Sequence, residues 1–138
     1  MNKEATVKNT VTKEESEFKK NLFRILKGSI FAIVLSVVLL LIFALLLTHT
    51  NLSENTITPV ILTITGISIL VGSSISSMKI KKNGLMNGGT VGLIYILVLY
   101  LASSLCFTGF SLTTNSLIML VIGVVTGILG GIIGVNLK

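Results

Sequence analysis

Four apolar runs, at about residues 28–48, 56–78, 87–107 and 116–135, divide the chain, and short polar stretches separate them. Each run is about twenty residues long and carries no charge, so at ~1.5 Å per residue a helix of that length matches a hydrocarbon core of ~30 Å. The pattern predicts an all-α integral membrane protein with four transmembrane helices arranged as two hairpins. The domain organisation that follows is a polar stretch over 1–20 and a four-span membrane domain over 21–138.

The segment before the first run has a different pattern. Residues 1–11 are polar without periodicity, which predicts a tail. Thr12 and Glu15 have the spacing of a capping box, and Phe18, Leu22 and Ile25 recur at helical spacing beside Lys19, Lys20 and Arg24. This predicts an amphipathic juxtamembrane helix lying along the inner surface, with Lys19, Lys20, Arg24 and Lys27 as lipid-headgroup contacts. The first run ends in Ala44-Leu-Leu-Leu-Thr-His-Thr50, which offers no small-residue cleavage site and predicts an uncleaved anchor. Pro59 then falls in the expected first turn of the second span, where proline loses little hydrogen bonding.

Charge sets the orientation. Of eleven cations, seven precede the first run, Lys79, Lys81 and Lys82 lie between the second and third, and Lys138 ends the sequence. The positive-inside bias then puts both termini and the 79–87 loop in the cytoplasm, with residues 49–55 and 109–115 outside. The three loop lysines join the headgroup contacts.

Small residues set the packing. Gly84, Gly88 and Gly92 follow the lysines at intervals of four, and the fourth span carries Gly123, Gly127, Gly130, Gly131 and Gly134. Lipid solvates Leu and Ile as well as a second helix does, so spans associate by close approach of backbones, and glycine permits the closest. These eight glycines are the expected helix-packing residues, the fourth span presenting its five on one side to the third span or to Ser68, Gly72 and Ser76 of the second. Gly28, Ala32 and Ser36 space small residues on the first span in the same way. The second span also carries seven Ser and Thr between residues 63 and 77, which suits a place inside a bundle. Gly28 and Ala32 precede Gly88 and Gly92 by sixty residues, and Thr65-Gly-Ile67 recurs as Thr126-Gly-Ile128, a weak internal repeat read either as a duplicated hairpin or as chance similarity in Gly- and Ile-rich sequence.

The chemistry-bearing residues are few. Hydrophobic residues make up 51% of the chain and charged residues 12%, with no Asp and a single His and Cys. No span contains an acid or base, so a nucleophile with its base, a carboxylate pair and a metal cluster are all missing, and no enzyme activity, cofactor or metal is expected. Cys106 cannot form an intrachain disulfide. The absence of Trp, and the place of both Tyr inside an apolar run, exclude a nucleic-acid face. His49 and Glu54 share a solvated loop and are expected to be surface residues.

Lys82-Asn-Gly-Leu-Met-Asn-Gly-Gly-Thr-Val-Gly92 followed by Leu-Ile-Tyr95, together with Gly130-Gly-Ile-Ile-Gly-Val-Asn136, resembles the small, glycine-rich, four-span membrane proteins of Gram-positive bacteria that are grouped as a domain of unknown function. The resemblance covers about residues 20–138 and implies the bacterial cytoplasmic membrane. It brings no catalytic residues with it. The bilayer is the expected partner, along with further copies or a larger membrane complex. Two functional readings follow: a non-enzymatic accessory or scaffold subunit assembled through Gly and Ser faces, or a small oligomeric channel whose polar path is lined by Ser and Thr of the second span. A third, holin-like permeabilisation, is the weakest.

Overall fold

The computed structural model describes residues 3–50, 53–78, 80, 83–105 and 114–137, and the side chains of 3–6, 54 and 115 lie outside that description. Four helices make up the described chain: α1 (Lys3–His49), α2 (Glu54–Met78), α3 (Gly84–Ser103) and α4 (Thr114–Asn136). Each is long and apolar enough to cross a membrane.

α1 is the outlier. Its 47 residues run without a break, about 70 Å at ~1.5 Å per residue, more than twice the ~30 Å of a hydrocarbon core. The stretch expected as a tail is helical from Lys3. Thr12 does not begin a helix, because its hydroxyl donates back to the carbonyls of Lys8 and Asn9 at 2.9 and 3.2 Å, one turn earlier. The basic segment at 18–24 therefore continues the axis of the span instead of forming a separate element along the surface.

α2 starts at Glu54, two residues earlier than its apolar run, and Pro59 consequently lies in the second turn. There it removes the bond that the Asn55 carbonyl would otherwise receive. α3 starts three residues earlier than its apolar run, because Asn83 at φ 64° and ψ 39° reverses the chain immediately before Gly84. Asparagine is one of the few residues with a side chain that enter this left-handed region readily. The Ile80 amide donates to Ser77 O at the end of α2, and the Asn87 amide donates to Asn83 O at the start of α3, both at 3.0 Å.

α3 packs most extensively on α4, α4 on α2 and α1 on α2, with smaller α2–α3 and α1–α3 contacts. Among the described residues α1 and α4 do not touch, so the α2–α3 contact has no counterpart across the bundle. Ala32, Ile69 and Tyr95 form the buried centre, flanked by Ile33 and Ile96. Most other large apolar side chains are exposed, as a surface solvated by lipid requires.

Candidate functional site

The bundle is tight at the end that carries the 79–83 turn. A methyl group at Gly88 would meet Gly131 Cα at 2.7 Å and Gly131 N at 2.8 Å, and would meet the Gly127 carbonyl oxygen closer still. At Gly127 it would meet Gly92 Cα and N at 3.0 Å as well as the Gly88 carbonyl oxygen. Gly84 opposes Gly131 and Val135, and Gly92 opposes Gly123 and Gly127, so the α3–α4 contact rises along one helix as it descends along the other. Several of these approaches are reciprocal, each carbonyl oxygen lying where a side chain on the facing glycine would be.

The five glycines of α4 do not share one side. Gly123, Gly127 and Gly131 form the row facing α3, while Gly130 and Gly134 turn to α2, where a methyl group would meet Leu70 Cα at 2.9 Å and Ser74 Cα at 2.8 Å respectively. At ~3.6 residues per turn a step of three falls short of a full turn and a step of four overshoots it, so glycines spaced by both mark two adjacent rows. α1 and α2 meet through a third small-residue contact. A methyl group at Gly28 would lie 2.8 Å from Gly72 O, and one at Gly72 would lie 2.8 Å from Gly28 O and 3.1 Å from Ala32 Cα.

Serines complete this end. Ser29, Ser36, Ser68, Ser73, Ser74, Ser76 and Ser77 are buried. Ser29, Ser68 and Ser73 donate to carbonyls four residues back in their own helices, at 3.0, 2.8 and 2.7 Å. A hydroxyl satisfied in this way acts as a small spacer and carries no unmet polar demand to the neighbouring helix. Two serines bond across helices: Ser76 Oγ donates to Arg24 O at 3.2 Å, and Ser77 Oγ approaches Gly84 O at 3.5 Å.

At the opposite end the helices separate. A cavity of about 350 Å³ lies between α2, α3 and α4, with Ile61 and Ile69, Ile96 and Tyr100, and Ser116 and Ile122 among its walls. Gly66 lines it, and a methyl group there would meet nothing within 4 Å. This bears on the sequence repeat. Thr65-Gly-Ile67 and Thr126-Gly-Ile128 are alike in sequence, yet Gly66 opens onto space while Gly127 is pressed against α3. The two halves are not packed as copies.

Of the expected headgroup residues, Lys19, Lys20 and Lys27 are exposed on α1 and Arg24 is half-buried where α1 enters the bundle. Lys79, Lys81 and Lys82 lie outside the described residues, as do Cys106 and the Glu54 side chain. His49 is exposed at the end of α1, and Tyr95 is fully buried. The cavity went unpredicted.

Four apolar helices joined by small-residue contacts, with bulky apolar side chains turned outward, define a multi-pass helical membrane protein. The family described as "Protein of unknown function (DUF3792)" matches residues 21–134, and the chain belongs to that family. It is 36% identical over 95 residues to the "Uncharacterized membrane protein YrzE" of Bacillus subtilis, a stretch that covers 69% of this chain and 63% of the relative. The chain thus spans a little under two thirds of that relative's length. No solved structure matches.

Proposed function

We propose that the protein is a non-enzymatic accessory subunit of the bacterial cytoplasmic membrane, with both termini and the 79–83 turn in the cytoplasm and the α1 extension as the part that meets partners. One observation carries the reading: the glycines and serines available for close contact are spent within the chain's own bundle, leaving the N-terminal stretch of α1 without a helix beside it. The 21 residues 3–23 precede the point where α1 meets α2 at Arg24 and correspond to about 31 Å of helix at ~1.5 Å per residue. Phe18 and Phe23 are among their exposed side chains, beside the exposed Lys19 and Lys20. A basic helix with exposed aromatics suits an acidic protein surface or an anionic headgroup layer.

The burial of the α2 serines weighs against the channel reading, since hydroxyls turned into one chain's interior are not offered to a path between copies. It also changes the scaffold reading, because assembly with other proteins has to use surfaces other than the internal glycine rows. The test is photocrosslinking from positions 18 and 23 in intact cells, with solute and ion flux measured in parallel on purified protein in liposomes. Capture of a defined membrane protein, with flux equal to that of empty liposomes, supports the accessory reading. Flux abolished by replacing Ser68 and Ser73 with leucine would put a channel in its place. Cysteine labelling in a Cys106-free background tests the orientation: position 83 should resist an impermeant reagent in sealed cells, and strong labelling there reverses the topology.

A further inference from the structure

We infer that the cavity between α2, α3 and α4 is a binding site for one acyl chain of a membrane phospholipid, drawn from the leaflet at the end remote from the 79–83 turn. The inference is independent of the accessory reading and of which leaflet that is.

Shape is the first argument. The walls run from Ser116 to Thr126 along α4, ten residues or about 15 Å of helical rise, and the volume is about 350 Å³. The mean cross-section is therefore roughly 20–25 Å², room for a file of methylenes whose carbon neighbours sit at ~4 Å. A void of these proportions, beginning at a helix end and reaching the middle of the bundle, has the form of half a bilayer's worth of chain.

Polarity is the second. Ser103 and Ser116 stand at the helix ends, and Ile69, Ile96 and Ile122 lie deeper. Thr126, also deep, donates its hydroxyl to Ile122 O at 2.8 Å, so that hydroxyl makes no demand on a ligand. Among the described residues no charged side chain lines the cavity, which disfavours an ionic solute. A lipid tail enters from hydrocarbon without losing hydration, and its glycerol ester would remain near the serine level. Ile61, Met119 and Ile122 are 39%, 49% and 53% exposed, so walls of the cavity border on the surrounding lipid.

Gly66 is the third. Glycine inside a helix costs about 1 kcal/mol relative to alanine, a cost that close packing offsets elsewhere in this bundle. Among the described glycines Gly66 alone meets nothing, so its missing side chain makes room without making a contact.

The experiment uses the full chain in vesicles of phosphatidylethanolamine and phosphatidylglycerol containing a trace of phospholipid with a diazirine midway along one acyl chain. Adducts are mapped by peptide mass spectrometry. Labelling at Ile69 and Ile96 should exceed that at the outward-facing Leu41 and Leu45 by about tenfold, equivalent to ~1.4 kcal/mol of preference. Gly66→Phe should fill the space and remove that excess while Leu41 and Leu45 label as before. If Gly66→Phe fails to fold, Gly66→Leu serves with the same readout. Cavity labelling no stronger than labelling at Leu41 and Leu45, or an excess that survives the filled cavity in folded protein, overturns the proposal. So does a cavity adduct that joins two copies of the chain and increases with the protein-to-lipid ratio, since the occupant would then be a second protein.

Discussion

The two ends of the bundle solve the same problem with opposite side chains. At the end near the 79–83 turn, Gly28 and Ala32 face Gly72, Gly88 faces Gly127 and Gly131, and Gly130 and Gly134 lie on α2. At the far end Ile61, Leu62, Leu99 and Met119 stand between helices that no longer touch closely enough to exclude a cavity. Lipid gives no net reward for hiding leucine, so bulky side chains at the far end gain little by pulling the helices together. Where backbones approach, dispersion and Cα–H···O contacts become available, and glycine makes the approach sterically feasible. The lesson is that stability in this protein is concentrated at one end, and that freedom to admit a ligand lies at the other.

The largest expected effect comes from breaking the tight end at its backbone contacts. Gly88→Leu sets a side chain against backbone atoms at 2.7 and 2.8 Å that cannot rotate away, so α3 and α4 must separate. By the overpacking cost of soluble cores the loss is about 1–3 kcal/mol, read as a fall in thermal midpoint in detergent. Gly72→Leu should do less, about 1–2 kcal/mol, because it displaces α1 from α2 while leaving α3 and α4 joined. The adjacent position sharpens the contrast: a methyl group at Gly89 meets Ile128 Cγ1 at 3.1 Å, a side chain able to shift, so Gly89→Ala should leave the midpoint nearly unchanged. Ser76→Ala removes one interhelical bond of 3.2 Å, and double-mutant values for such bonds in membranes average ~0.6 kcal/mol. A loss above that from Ser76→Ala would show that the serines do more than space the helices.

Much of this was legible in the sequence, for reasons that particular residues make plain. Charge-free runs of bilayer length gave the four spans, and the four-residue spacing of Gly84, Gly88 and Gly92 marked a contact face. Which helix each glycine would meet was not legible, because Gly130 and Gly131 are neighbours in sequence yet turn to different partners. The extent of α1 was hidden by composition: residues 3–11 have no apolar period, but the helix needs none where one end is anchored in a span. The early start of α3 depended on Asn83 taking a positive φ, a backbone event with no hydrophobic signature. The cavity follows from splaying, which is a property of four helices together and of no single segment.

The central claim is that one end of the bundle is closed by backbone contact and the other is open, and the same substitution at two glycines tests it. Gly127→Leu meets Gly92 backbone atoms at 3.0 Å, whereas Gly66→Leu enters space with nothing within 4 Å. Leucine is also the better helix former by as much as ~1 kcal/mol, which favours the second variant further. Unfolding free energies of the two variants and the parent, measured together in one detergent–lipid mixture, should show Gly127→Leu less stable by about 1–3 kcal/mol and Gly66→Leu equal to or above the parent. Equal losses at the two positions, or a greater loss at Gly66, would contradict the account.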